Sequence, residues 1–212
     1  PAGSLMKTVR KDENWTSGAD GTVETYTDNE GRTVLERRIH TATNGTEHLD
    51  TYYVYDDLNR LRYVLPPQAE DTFRQAGETH SGSDKGIADY AYVYRYDGNG
   101  NCISKKMPGS EEVEIVYDKA RRRVLSRDGK CRKEGKWMFW LYEETGRQAV
   151  QGICTNPDVE ALKNDTVMTR WTDRGTLAGY EAPGALGQDI QLLKADYYDN
   201  YAFLDDEELL PE

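Results

Sequence analysis

Apolar and polar positions alternate along most of the chain in short blocks, and between Ile115 and Ile153 one block order occurs twice. Val116-Tyr117-Asp118, three residues, and Arg122-Arg123-Val124-Leu125 make the first copy; Leu141-Tyr142-Glu143, three residues ending in Gly146, and Arg147-Gln148-Ala149-Val150 make the second. Tyr and Val suit a pleated, half-buried surface, and Asp and Gly supply turn chemistry, so each copy predicts strand, tight turn, strand. The same order extends outward. Thr27-Asp28 leads to Gly31-Arg32-Thr33-Val34, Tyr55-Asp56 to Asn59-Arg60-Leu61, and Tyr96-Asp97 to Asn101-Cys102-Ile103, with the first position always five residues before the Arg or Asn. Weaker echoes stand at Thr172-Asp173-Arg174-Gly175 and Tyr198-Asp199.

Read in order, the alternation predicts a strand over 5–9 and hairpins over 22–27 with 32–41 and over 51–55 with 61–65, where Pro66-Pro67 ends the last arm. Helix-permissive residues at 68–76 predict one short helix, and the Gly- and Ser-rich stretch 77–86 predicts a loop. Asp89 to Tyr96 alternates strictly, which predicts a strand with Tyr90, Tyr92, Tyr94 and Tyr96 on one face. Strands over 113–117 and 123–126 follow, then a turn at Asp128-Gly129. Residues 137–142 are apolar on both faces, the pattern of a fully buried strand. Asn156-Pro157-Asp158 opens a helix through Leu162-Lys163, and strands are expected over 166–171, 177–180 and 190–198. These elements describe an all-β chain of tandem antiparallel hairpins, with one or two short helices in the connections.

The ordered repeats resemble the YD-repeat or Rhs-repeat family, in the form found in large surface or secreted proteins of Bacteroidetes-type bacteria. The resemblance rests on the run Tyr53 to Pro67, on Tyr94-Arg95-Tyr96-Asp97-Gly98-Asn99-Gly100-Asn101, Lys106-Met107-Pro108-Gly109, Val116-Tyr117-Asp118-Lys119, Gly135-Lys136-Trp137 and Tyr197-Tyr198-Asp199-Asn200-Tyr201. Thr27 and Thr172 depart from the tyrosine, Glu143 from the aspartate, and the last copy lacks the Gly-Arg half. The resemblance implies hairpins joined side by side into curved sheets, a partial β-shell or a small barrel. It implies a single domain over 1–204 with an insertion at about 67–88, and an acidic tail or linker over 205–212. It further implies a non-enzymatic scaffold or encapsulating wall in a secreted or cell-surface protein, of the kind that builds toxin-delivery shells. The partners it implies are neighbouring repeats or an effector domain of the parent polypeptide, in an extracellular or cell-surface setting.

Composition narrows the alternatives. A formal charge of −11 over 212 residues disfavours nucleic acid and anionic membranes, and the basic runs Arg121-Arg122-Arg123 and 130–136 read as solvated turns and strand exits. No run is long and apolar enough to span a bilayer. The three cysteines, Cys102, Cys131 and Cys154, are odd in number and widely spaced, which reads as free thiols rather than a disulfide framework or metal site. Asp97-Gly98-Asn99-Gly100-Asn101 imitates the start of a calcium loop, but Pro108 stands where the closing carboxylate is required, so it reads as a turn. His40, His48 and His80 are scattered, and no nucleophile elbow, zinc helix or phosphate loop accompanies them. No catalytic residue, metal site or cofactor is expected. The alternative to a scaffold is a carbohydrate- or protein-binding module using Tyr90, Tyr92, Tyr94 and Tyr96, because a tyrosine face can stack on sugar rings or on polypeptide.

Overall fold

The computed structural model describes residues 5–42, 45–76 and 85–198, and these divide into two compact bodies. The first takes its residues from Pro1–Tyr96 and Ser104–Glu111, the second from Asp97–Ile103 and Glu112–Glu212.

In the first body, β1 (Met6–Arg10), β2 (Val23–Thr27), β3 (Thr33–Ala42), β4 (Gly45–Tyr55) and β5 (Leu61–Leu65) pair antiparallel in chain order. Two helices, α1 (Pro67–Ala76) and α2 (Lys85–Tyr90), then intervene before β6 (Tyr92–Tyr96), which pairs with β5 through Tyr63↔Val93 and Val64↔Tyr92. Pro66 and Pro67 end β5 as expected, since Pro lacks the ladder N–H, and Pro67 occupies the tolerated first helical position. The helices pack on each other, and α1 lies on β4 and β5. Much of this body is only half-buried, which suits its polar strands.

Here the structure departs from the sequence reading. The strand expected from Asp89 begins only at Tyr92, because Ala91 N–H donates to Ile87 O at 3.3 Å and Ala91 is fully buried at the helix end. The period-two tyrosines at 90 and 92 therefore sit in different elements. The expected loop over 77–86 lies outside the described residues as far as 84, and its last two residues begin α2.

After β7 (Cys102–Lys106), the second body contains β8 (Val113–Tyr117), β9 (Arg123–Arg127), α3 (Gly129–Lys133), β10 (Lys136–Tyr142), β11 (Gln148–Thr155), α4 (Val159–Asn164), β12 (Trp171–Gly175), β13 (Gly179–Tyr180), a 3₁₀ turn (Gly184–Leu186) and β14 (Gln188–Ala195). Strands β8, β9, β10, β11 and β14 are antiparallel neighbours in that order, while β12 and β13 form a separate hairpin. The doubly apolar run became β10, with Trp137, Phe139, Trp140 and Leu141 all buried. Phe139 packs with Leu125, Leu141, Val150, Cys154, Leu162 and Leu186 into one core. Burial pushes the Cys154 thiol up to about 11, so it behaves as a packing group.

The helices exceed the one or two expected. The turn read at Asp128-Gly129 is the start of α3, where the Asp128 carboxylate accepts the Cys131 N–H at 2.8 Å as an N-cap. Asp158 caps α4 in the same way, through Ala161 N–H at 3.0 Å.

Candidate functional site

The feature that recurs is a clasp built on five turns. Each begins with an acid whose backbone N–H donates to the carbonyl four residues on: Asp28 to Arg32 O, Asp56 to Arg60 O, Asp97 to Asn101 O, Asp118 to Arg122 O and Glu143 to Arg147 O, all at 2.9–3.0 Å. The residue three after the acid returns its own N–H to the acid's carbonyl and has positive φ: Gly31 at 79°, Asn59 at 61°, Gly100 at 85°, Arg121 at 62° and Gly146 at 83°. That combination is a type I turn followed by a left-handed residue, and it puts a bulge into the ladder at Thr27, Tyr55, Tyr117 and Tyr142.

The carboxylates knit these turns together. Asp28 Oδ1 accepts Glu30 N–H and Arg32 N–H at 3.0 Å, and its Oδ2 accepts Arg32 Nε at 2.8 Å. Asp56 repeats this with Leu58 and Arg60, both amides at 3.0 Å and Nε at 2.8 Å. Asp97 repeats it with Asn99 and Asn101, the Asn101 amide Nδ2 replacing the guanidinium at 2.8 Å. Those contacts occupy the calcium-like segment as a turn. Asp118, whose side chain is fully buried, takes Arg122 Nη2 at 2.7 Å and also the Val167 N–H at 3.2 Å. Glu143 is longer by a methylene and accepts from Arg147 Nε and, at 2.6 Å, from the Thr145 hydroxyl.

Each arginine then reaches a tyrosine further along the chain, which for Arg32, Arg60 and Arg122 opens a later turn of the same kind. The guanidinium carbons of Arg32, Arg60, Arg122 and Arg147 lie 5.1, 5.0, 4.9 and 4.3 Å from the ring centroids of Tyr55, Tyr96, Tyr142 and Tyr198, within cation–π range. The four hydroxyls donate to the carbonyl just after the arginine: Thr33, Leu61, Arg123 and Gln148, at 2.9–3.0 Å. The five-residue spacing seen in the sequence thus encodes both a turn and a grip on its neighbour. Thr27, in the tyrosine position of the first turn, makes the analogous bond to Met6 O at 3.4 Å. The 172–175 echo lies within β12, and its turn comes after Gly175, so it makes no clasp of this kind. Asp199 and the acidic tail lie outside the described residues.

Electrostatics follow the bonding. The Arg32 side chain holds the Asp28 carboxyl below its usual range. Desolvation pushes Asp56 and Asp97 up, but bonds from Arg60 and Asn101 outweigh it and hold both low. A further pair, Arg37 and Asp50, is bidentate at 2.7 Å, and Arg37 depresses the buried Asp50 carboxyl.

Several arginines in and beside the basic runs are engaged in the fold, while Arg121 and Lys130 stay exposed, as solvated turn residues. Arg123 stacks 3.8 Å from the Trp140 ring, Arg127 lies 4.1 Å from Trp137, and Arg132 bonds Glu114 and the Glu112 carbonyl. Of the tyrosines read as a binding face, Tyr90 ends α2, Tyr96 belongs to the clasps, and Tyr92 and Tyr94 share one face of β6, with Tyr92 the more exposed. His40 and His48 are exposed and bring no carboxylate–histidine–nucleophile set together; His80 lies outside the described residues. All three cysteines are free, and no group of three metal-ligating side chains occurs among the described residues. No described helix is long and apolar enough to cross a membrane. The hydroxyl and cation–π contacts leave no mark in the apolar–polar alternation; the fixed tyrosine–arginine interval is their one signal in the sequence.

Comparison with protein-family models and with curated proteins gives no match. Among solved structures the chain is similar to those titled TcdB2-TccC3-TEV and TcdB2-TccC3-Cdc42, at 18% and 17% identity, each covering 71% of this chain with a TM-score of 0.49. The structure titled TcdB2-TccC3 matches over 74% of this chain at 17% identity, with the same TM-score. The chain spans 7% of the length of each of these structures. A likeness at that score and identity assigns neither activity nor partner.

Proposed function

We propose that the chain is a non-enzymatic structural segment of a secreted or cell-surface YD-repeat or Rhs-type protein, a scaffold or encapsulating wall of the kind that builds toxin-delivery shells. The observation that carries this reading is the clasp: acids and arginines, the residue types that acid–base chemistry draws on, are spent, turn after turn, on the same structural bonds. Catalysis needs one convergent constellation of groups, whereas this arrangement repeats and consumes its charges. In this reading the hairpins of 1–204 act as one array, and its partners are neighbouring repeats or an effector domain of the parent polypeptide. Edge strands such as β1, every residue of which is exposed, are where neighbouring repeats would pair. Small-angle scattering with size-exclusion mass analysis tests this. An elongated, curved or edge-paired particle is expected; a compact, self-closed monomer would contradict it.

A second reading, a glycan- or protein-binding module, is supported by the exposed Tyr92 beside Tyr94 on β6. It expects glycan binding that Tyr92→Ala abolishes with the fold intact, and silence across a broad glycan panel would remove it.

A further inference from the structure

In the second body, the turn at Glu143 and the segment leading into β12 enclose a cleft of about 540 Å³. A parallel bridge between Tyr142 and Met168 and a bond from Thr169 N–H to Tyr142 O at 2.8 Å hold its two sides together. Glu181 joins the rim because its N–H donates to Arg170 O at 2.9 Å. Met168, about half exposed, and Trp171 supply the apolar lining. The Trp171 Nε1 is buried without a partner and points at Gly179, where an added Cβ would come within 2.4 Å. The indole therefore gives its polar edge to the interior.

Charge separates this cleft from the clasps. Glu143 is engaged by Arg147 and Thr145, but among the described residues the Glu144, Glu181 and Arg170 side chains have no partner. Unpaired groups around an apolar lining leave a net negative rim on a chain that is itself at −11. We infer that this cleft is a docking site for a polypeptide segment presenting a basic side chain next to an apolar one. The basic head meets Glu144 and Glu181, the apolar neighbour covers Met168 and Trp171, and Arg170 is left for a backbone carbonyl. Charge complementarity of this sort sets partner choice and encounter rate. The inference is independent of the scaffold reading.

The test uses the whole chain and fluorescein-labelled Gly-Ser peptides carrying a central Arg-Leu, Gln-Leu or Glu-Leu pair, followed by anisotropy at low salt. The Arg-Leu peptide is expected to bind saturably, and the Glu-Leu peptide about tenfold or more weakly. Glu144→Gln with Glu181→Gln should weaken Arg-Leu binding by about tenfold and reduce its salt dependence. Both glutamates are exposed, so the variant's fold can be verified by circular dichroism. No saturable binding, equal binding of all three peptides, or affinity unchanged in the double variant would overturn the site. So would a neutral oligosaccharide that binds with the same dependence on those glutamates.

Discussion

Arg60 lies over Tyr96, its guanidinium 5.0 Å from the ring centroid, while the Tyr96 hydroxyl is anchored one residue further on, donating at 2.9 Å to Leu61 O. Tyr96→Phe keeps the ring and removes one hydrogen bond, so it should cost about 0.5–1.5 kcal/mol in urea denaturation. In a double-mutant cycle, Tyr96→Leu should reduce the cost of Arg60→Gln by about 0.5–1 kcal/mol, the coupling of cation and ring. Additive losses would mean that the two residues stand side by side without interacting.

Asn101 is the one clasp position among the five where a neutral side chain replaces the arginine. Asn101→Arg should restore the charge-assisted bond to Asp97 and put a cation beside Tyr117, raising stability by about 0.5–1 kcal/mol. Thermal melting reads this directly. A lower melting temperature would show that this turn is built around the shorter side chain.

The left-handed turn position sorts residues by their backbone freedom. Gly146, at φ 83°, has open space where a Cβ would sit, so Gly146→Val is penalised through its backbone rather than by a clash, by about 1–2 kcal/mol. Arg121 already tolerates φ 62° in the same position, and Arg121→Gly should leave its turn intact. Equal losses from the two substitutions, measured by denaturant midpoint, would contradict this.

Acid should loosen the turns. Asp28, Asp56, Asp97 and Asp50 all have depressed carboxyls in the folded chain, so the unfolded chain binds more protons as pH falls. Their contribution is complete above the ordinary carboxylate range and disappears as pH drops through the lower folded values. Melting temperature should hold from neutrality down to about pH 5 and decline below about pH 4. Asp28→Asn should make that decline shallower.

The second body's core is sensitive to volume in both directions. Phe139 is fully buried, and Trp137 is buried beneath Arg127; truncating either to Ala should cost about 3–5 kcal/mol. Gly152 faces the Phe139 ring, and a Cβ there would sit 2.5 Å from it and from Gln191 O. Gly152→Val should therefore destabilise by overpacking. A melting temperature unchanged by Trp137→Ala would contradict the assignment of β10 as the core strand.

The hairpin arms and their turns were legible because the order tyrosine, acid, two open positions, Gly or Asn, arginine carries its own backbone instructions, as at Tyr55 to Arg60. Two helices were not. Lys85–Tyr90 is too short for a 3.6-residue period to show, and the tyrosines at 90, 92, 94 and 96 imposed a period of two across its end. Gly129–Lys133 is announced only by its Asp128 cap, which also fits a turn. β4 starts at Gly45, well before its apolar arm, because polar residues such as Glu47 and His48 pair with β3 through backbone alone. The buried carboxylate of Asp118 was equally hidden, since its second partner residue, Val167, lies 49 residues away. The cleft beside Glu143 likewise depends on Met168, Trp171 and Glu181, which come from well beyond it along the chain.

Amide hydrogen exchange on Arg122→Lys tests the clasp account most directly. Lysine keeps the charge beside buried Asp118 but loses the planar fork that also bonds Val167 O at 2.9 Å and faces Tyr142. The account predicts faster exchange at Arg122 and Val167 and at Gly146 in the adjoining turn, with Asn59 and Arg60 unchanged. Faster exchange confined to residue 122, or spread evenly over the whole chain, would contradict a ladder of coupled turns.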